Sequence, residues 1–212
     1  ELLAVHAECE LEVVENEVRR NWAKETVERL DGLESPETDL AYRDYVVARL
    51  LQHGPGGATL AEAADRMVAA YKHGDSPIVR TPYRRRRAAE LLVDAADYKT
   101  QLLEPADKRL AELAPPIPTE VALQVSDWLD LPSNWLGEEP DLLDDARLRQ
   151  FRVNRAVALS YRTVRAPSHD CEEIRKLCKT LLADGADADS PQIRLIEARA
   201  LGAEMSTEAP AK

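Results

Sequence analysis

Apolar positions recur every three or four residues along most of this chain. Leu3, Ala7, Leu11, Val14, Val18 and Trp22 form one stripe, which Leu2, Cys9 and Val13 widen. A stripe this wide suits a core-facing helix of a bundle better than the narrow seam of a coiled coil. The spacing predicts one helix from residue 1 to about 31, closed by Asp31-Gly32. Ser35-Pro36-Glu37 combines a cap, a proline suited to the first helical position and an early acid, so a second helix is expected from there to about Gln52. Its inward residues would be Leu40, Ala41, Val47, Ala48 and Leu51. The glycine-rich turn His53 to Gly57 follows, and Thr59-Leu60-Ala61-Glu62 has capping-box spacing ahead of Leu60, Ala63, Ala64, Met67 and Tyr71. Thr81-Pro82 opens a helix to about Leu103, and a short segment is expected to continue to Leu113.

Ala114-Pro115-Pro116-Ile117-Pro118 is a stiff, extended connector by composition and the best boundary signal in the chain. It divides an expected N-terminal bundle, 1–113, from a smaller helical part, 119–205, with one continuous domain as the alternative. Beyond it, Thr119 caps a helix carrying Val121, Val125, Trp128 and Leu129, and Leu131 to Pro140 reads as irregular because of Pro132, Gly137 and Pro140. From Asp141 to about Arg165 two periods compete. Phe151, Val153, Val157, Leu159 and Tyr161 also alternate as a strand would, but no second strand exists to pair with them, so helix is the reading. Ser168 and Ser190-Pro191 start the last two helices. The result is an all-α chain of eight or nine helices. No second copy of the last helical pair follows at a period near 34 residues, so the chain is not an array of repeats.

Composition agrees. Hydrophobic residues are 44 % and charged residues 32 % of the 212, as in a globular protein with a real core. No apolar stretch approaches the roughly 20 residues that cross a bilayer. Three cysteines do not describe a disulfide scaffold, which favours a reducing, cytoplasmic setting. The chain begins at Glu1 without methionine, as a processed or excised chain would, so a targeting segment ahead of it stays open.

The net charge of −11 makes one segment stand out. Arg80 and the run Arg84, Arg85, Arg86 and Arg87 fall within eight residues, shortly after Lys72, with Tyr83 beside the run. These arginines occupy the first turns of a helix, where they oppose the positive end of its dipole. An anion must compensate them, from the protein's own carboxylates or from outside. The internal version pairs Arg86 with Glu90, four residues on, and the others with surface acids. The external version is phosphate or nucleic acid, with Lys72, Arg80 and the run supplying charge and Tyr83 stacking. Consecutive helical residues lie about 100° apart, so four arginines cannot converge on one ligand. A helix-turn-helix built from Leu60–Tyr71 and Pro82–Leu103 would need a loop far longer than the usual three or four residues.

Other chemistry is thin. His6 with Cys9, and His169 and Asp170 with Cys171 and Cys178, could in principle gather around zinc, but no C-x-x-C or H-E-x-x-H spacing exists. Helical cysteines of this kind are ordinarily small core residues. No metal and no cofactor is therefore expected. Walker A, G-x-G-x-x-G and G-x-S-x-G patterns are missing. Glu138-Glu139, Asp144-Asp145 and Glu172-Glu173 read as solvated charges at helix starts, and Trp128 and Trp135 as core residues. The leading expectation is a non-enzymatic helical interaction or scaffold protein that docks a protein partner and does not enter a membrane. A nucleic-acid-binding module using the arginine cluster is the alternative. A helical enzyme whose site forms only on folding ranks third.

Overall fold

The computed structural model describes residues 2–11, 16–32, 37–53, 57–72, 77, 79–103, 118–162, 167–183 and 190–208. Among the described residues there are nine α-helices, one 3-10 turn and no strand, an all-α fold. The helices are α1 Leu2–Leu11, α2 Asn16–Asp31, α3 Glu37–Leu51, α4 Gly57–Lys72, α5 Pro82–Leu103, α6 Pro118–Glu138, α7 Asp145–Arg162, α8 Pro167–Ala183 and α9 Pro191–Glu208. The 3-10 turn is Pro140–Leu142. No described helix is long and apolar enough to cross a membrane. Residues 12–15, inside the single first helix expected from sequence, and 104–117, with most of the proline connector, lie outside the described residues. The 1–113 and 119–205 division remains an expectation from sequence.

The chain packs as two compact units: Glu1–Ala95 with Leu131–Leu143, and Ala96–Asp130 with Asp144–Lys212. In the first unit α3 packs against α4, with α2 and α1 also against α3. Helix α3 is buried on nearly every side from Ala41 to Leu50. The inward set is therefore wider than the stripe predicts, and it includes Tyr42, Tyr45, Val46 and Leu50. Ala63, Ala64 and Ala70 of α4 and Ala88 and Ala89 of α5 are fully buried, and such small side chains let helix backbones approach closely. The buried carboxylate of α3, Asp44, is satisfied in place. Asp44 accepts from Arg66 at 3.3 Å and Arg43 at 3.4 Å, and Arg66 reaches on to Asp31 at 3.0 Å.

In the second unit α7 has the equivalent place. Phe151 and every residue from Asn154 to Ser160 are buried. Helix α8 presents Cys171, Ile174, Cys178 and Leu181 at intervals of three and four, and α9 answers with Ile193, Ile196 and Ala200. The helix reading of 151–161 holds. The competing period of two arises because a helix wrapped by neighbours carries apolar residues on all sides.

One segment differs from expectation. Leu131 to Glu138 is not irregular: α6 runs through Pro132 without a break. Proline lacks the N–H that would bond to the Trp128 carbonyl, which costs a helix up to about 3 kcal/mol in general. Burial of Trp128, Leu129, Pro132 and Trp135 at helical spacing opposes that loss. Both tryptophans are core residues, and Trp135 meets the Tyr71 ring at 4.6 Å between centroids. Smaller shifts occur at helix starts: α4 begins at Gly57, two residues before Thr59.

Candidate docking cavity at the start of helix α5

Helix α5 begins as its sequence dictates. Pro82 occupies the first position, and the Thr81 hydroxyl accepts from the Arg84 amide at 3.4 Å. Just before it, Tyr71 donates to the Val79 carbonyl at 2.7 Å and ties the incoming chain to α4.

The arginine run then fans out, each member to its own acceptors. Arg84 forks onto Glu8 of α1, Nε to Oε1 at 2.9 Å and Nη2 to Oε2 at 2.6 Å. Its guanidinium also lies 4.9 Å from the Tyr42 ring centroid, within cation–π range. Tyr42 donates to the same Glu8 at 2.6 Å. Burial alone would raise the Glu8 carboxyl, but hydrogen bonds from Arg84 and Tyr42, with the charges of Arg84 and Arg49, hold it below its ordinary value. The Tyr45 hydroxyl, buried beside this cluster, is pushed up to about 12 by desolvation, so it stays neutral.

Arg85 turns to the end of α6, donating to Glu139 at 2.6 Å and Glu138 at 3.2 Å. These two acids therefore lie at a helix end, Glu138 as its last residue and Glu139 just after it, and not at a helix start as expected; Arg85 offsets their poor fit to the negative end of the dipole. Arg86 pairs with Glu90 at 3.4 Å, the partner the spacing predicts, and Arg87 joins the same carboxylate at 3.1 Å. Arg87 also lies 5.4 Å from the centroid of the Tyr83 ring. Much of the anionic compensation that the run demands is thus internal. Lys72 ends α4 in an exposed position, and Arg80 is exposed in the turn before α5.

Beside this turn lies an open cavity of about 510 Å3, lined by Pro82, Tyr83, Arg86, Glu139, Pro140, Asp141 and Leu142. Tyr83 is 51 % exposed although it is large and largely apolar. Of the residues singled out in the sequence, the structure brings Tyr83 and Arg86 to this cavity and turns Arg84 and Arg85 to internal acids. Glu8, Pro140, Asp141 and Leu142 carry no sequence signal that would link them to α5, because only the fold brings them near.

The remaining candidates lie elsewhere. Cys171 and Cys178 are buried and point at carbonyls of α9, at 3.6 Å from Ala200 and 3.9 Å from Ile193. Burial and Glu197 push the Cys178 thiol up to about 11, away from reactivity. The side chains of Cys9 and His169 lie outside the described residues. Among the described residues, no three His, Cys, Asp or Glu side chains group as metal ligands would. Comparison with protein-family models, curated proteins and solved structures finds no match.

Proposed function

We propose that this protein is a non-enzymatic helical interaction module that docks a protein partner at the start of α5. The observation that supports this reading is the cavity itself. It is an open concavity walled by Pro82, Tyr83 and Pro140, and the other large apolar residues are mostly buried among the described residues. Tyrosine is enriched in protein contact sites relative to the rest of a surface, and Tyr83 is exposed within this concavity. The competing nucleic-acid reading has less support, because Arg84, Arg85, Arg86 and Arg87 each bond to a carboxylate of the chain. A body of net charge −11 also repels polyanions at long range.

A photocrosslinking benzoylphenylalanine in place of Tyr83, activated in the native host, tests the proposal. The expected product is a covalent adduct to a protein, missing when the same group replaces Lys176, an exposed residue of α8 that does not line the cavity. A nucleic-acid adduct would put the arginine reading first. No adduct above the Lys176 control would remove the docking site. A salt titration with duplex DNA adds an independent arm: phosphate binding would show a log–log slope of about −0.9 per neutralised phosphate. Arg80→Gln with Arg86→Gln is the variant for that arm, since Arg84 and Arg85 also hold the helices together.

A further inference from the structure

Resting on that reading, we infer that the cavity takes an extended, proline-containing peptide segment that carries a basic residue. The shape argues for the first part. The walls are two pyrrolidine rings, Pro82 and Pro140, and the Tyr83 ring, with Leu142 buried beneath. Rigid, flat apolar surfaces of this kind suit polyproline II ligands, which arrive already extended and lose little entropy on docking. The volume, about 510 Å3, matches a few residues of such a segment and not a whole helix face.

Charge argues for the second part. Asp141 is exposed on the wall formed by the 3-10 turn, and Glu138 nearby is 68 % exposed even while bonded to Arg85. On the helix side Arg86 and Arg87 share the single Glu90 carboxylate, whereas Glu138 and Glu139 share the single Arg85, so the acids around the 3-10 turn outnumber the cation that offsets them. A ligand's arginine or lysine would find an acidic wall, and the net charge of −11 would draw it in. An acidic ligand would meet the opposite.

The test uses the whole chain and short fluorescein-labelled peptides followed by polarisation. One is made of prolines and alanines with a single arginine. A second replaces its prolines by glycine, and a third replaces its arginine by glutamate. Saturable binding of the first is expected, weakened about tenfold or more by Tyr83→Ala, as for a contact that anchors an interface. Asp141→Lys should weaken it several-fold and flatten its salt dependence. Tyr83 and Asp141 are both exposed, and an unchanged helical spectrum verifies that the variants fold. Equal binding of the glycine peptide, preference for the glutamate peptide, indifference to Tyr83→Ala, or no binding at millimolar peptide would each overturn the inference. A protein adduct at position 83 together with failed peptide binding would reject this ligand class while leaving the interaction module standing.

Discussion

Each unit holds an arginine in its interior wall, and the two are held differently. In the first unit Arg84 reaches Glu8 with a side chain 21 % exposed, and of the other arginines in the run only Arg85 is less exposed. In the second, Arg155 of α7 is 8 % exposed and has three acceptors on other segments. It donates to Glu173 of α8 at 2.8 Å, to Asp130 of α6, and to the Ser126 carbonyl at 3.3 Å. Burial works to lower the Arg155 pKa, but the hydrogen bonds it donates to Glu173 and Asp130, with the charges of those two carboxylates, outweigh it and the group is held above its ordinary value. Four adjacent arginines look like the more important charge cluster. A single arginine with no basic neighbours at adjacent positions in sequence is held more tightly, because desolvation and acceptor number, not local charge density, set the weight of an ion pair.

The largest expected effect follows from that contrast. Arg155→Ala removes a buried guanidinium fork and its bonds to α6 and α8. Asp130 and Glu173 are partly exposed and can rehydrate, so the loss should fall below that of a fully buried pair, at about 2–3 kcal/mol. Arg155→Lys keeps the charge but cannot bridge both acids and the carbonyl, so it should recover about half of that loss. Urea unfolding followed by circular dichroism measures both. Equal, small effects for the two variants would mean that the network is ornamental.

The Glu8 latch should matter less, by about 1–2 kcal/mol for Glu8→Gln, since its partners retain some solvent. Its signature is the pH dependence. The folded-state pKa of Glu8 lies below its ordinary value of 4.5, so its stabilisation is complete above that pH and is lost as pH falls through the lower folded value. The gap in stability between wild type and Glu8→Gln should therefore be constant above about pH 5 and shrink in acid. A gap that widened in acid would contradict the sign of the shift.

The contrast between the units also shows what sequence could carry. Helices with one buried face were legible: α5 was expected from Pro82 to about Leu103 and runs over those residues, and α8 and α9 show three-and-four spacing of their buried residues. The central helices were harder. Helix α3 is buried nearly all round, so its stripe understates its core, and α7 mimics a strand for the same reason. Pro132 misled because proline signals a break by local chemistry, whereas burial of Trp128 and Trp135 decides the matter globally. At the candidate site, Tyr83 and the Arg86–Glu90 pair were legible because they are local. Glu8 lies 76 residues from Arg84, and no spacing rule reaches across that distance. Arg155 drew no notice in the sequence for the same reason, since its acceptors are 25 and 18 residues away.

The smallest effect is the sharpest check on the comparison. Arg86 belongs to the conspicuous run, yet its side chain is 51 % exposed and its one assigned acid, Glu90, is also held by Arg87. Water and Arg87 can both substitute for it. Arg86→Gln should therefore change stability by no more than about 0.5 kcal/mol. A double-mutant cycle of Arg86→Gln with Glu90→Gln should return a coupling of only a few tenths of a kcal/mol, roughly, and high salt should erase it. The single change Glu90→Gln should cost more than Arg86→Gln, because that half-buried carboxylate serves two guanidinium groups. The Arg155–Glu173 cycle should keep most of its coupling in the same salt, since a buried pair is poorly screened. If the Arg86 coupling proved as large and as salt-resistant as that of Arg155, exposure would not be what separates the two regions. The run would then have to be treated as one cooperative cluster, with its four charges fixed in place together.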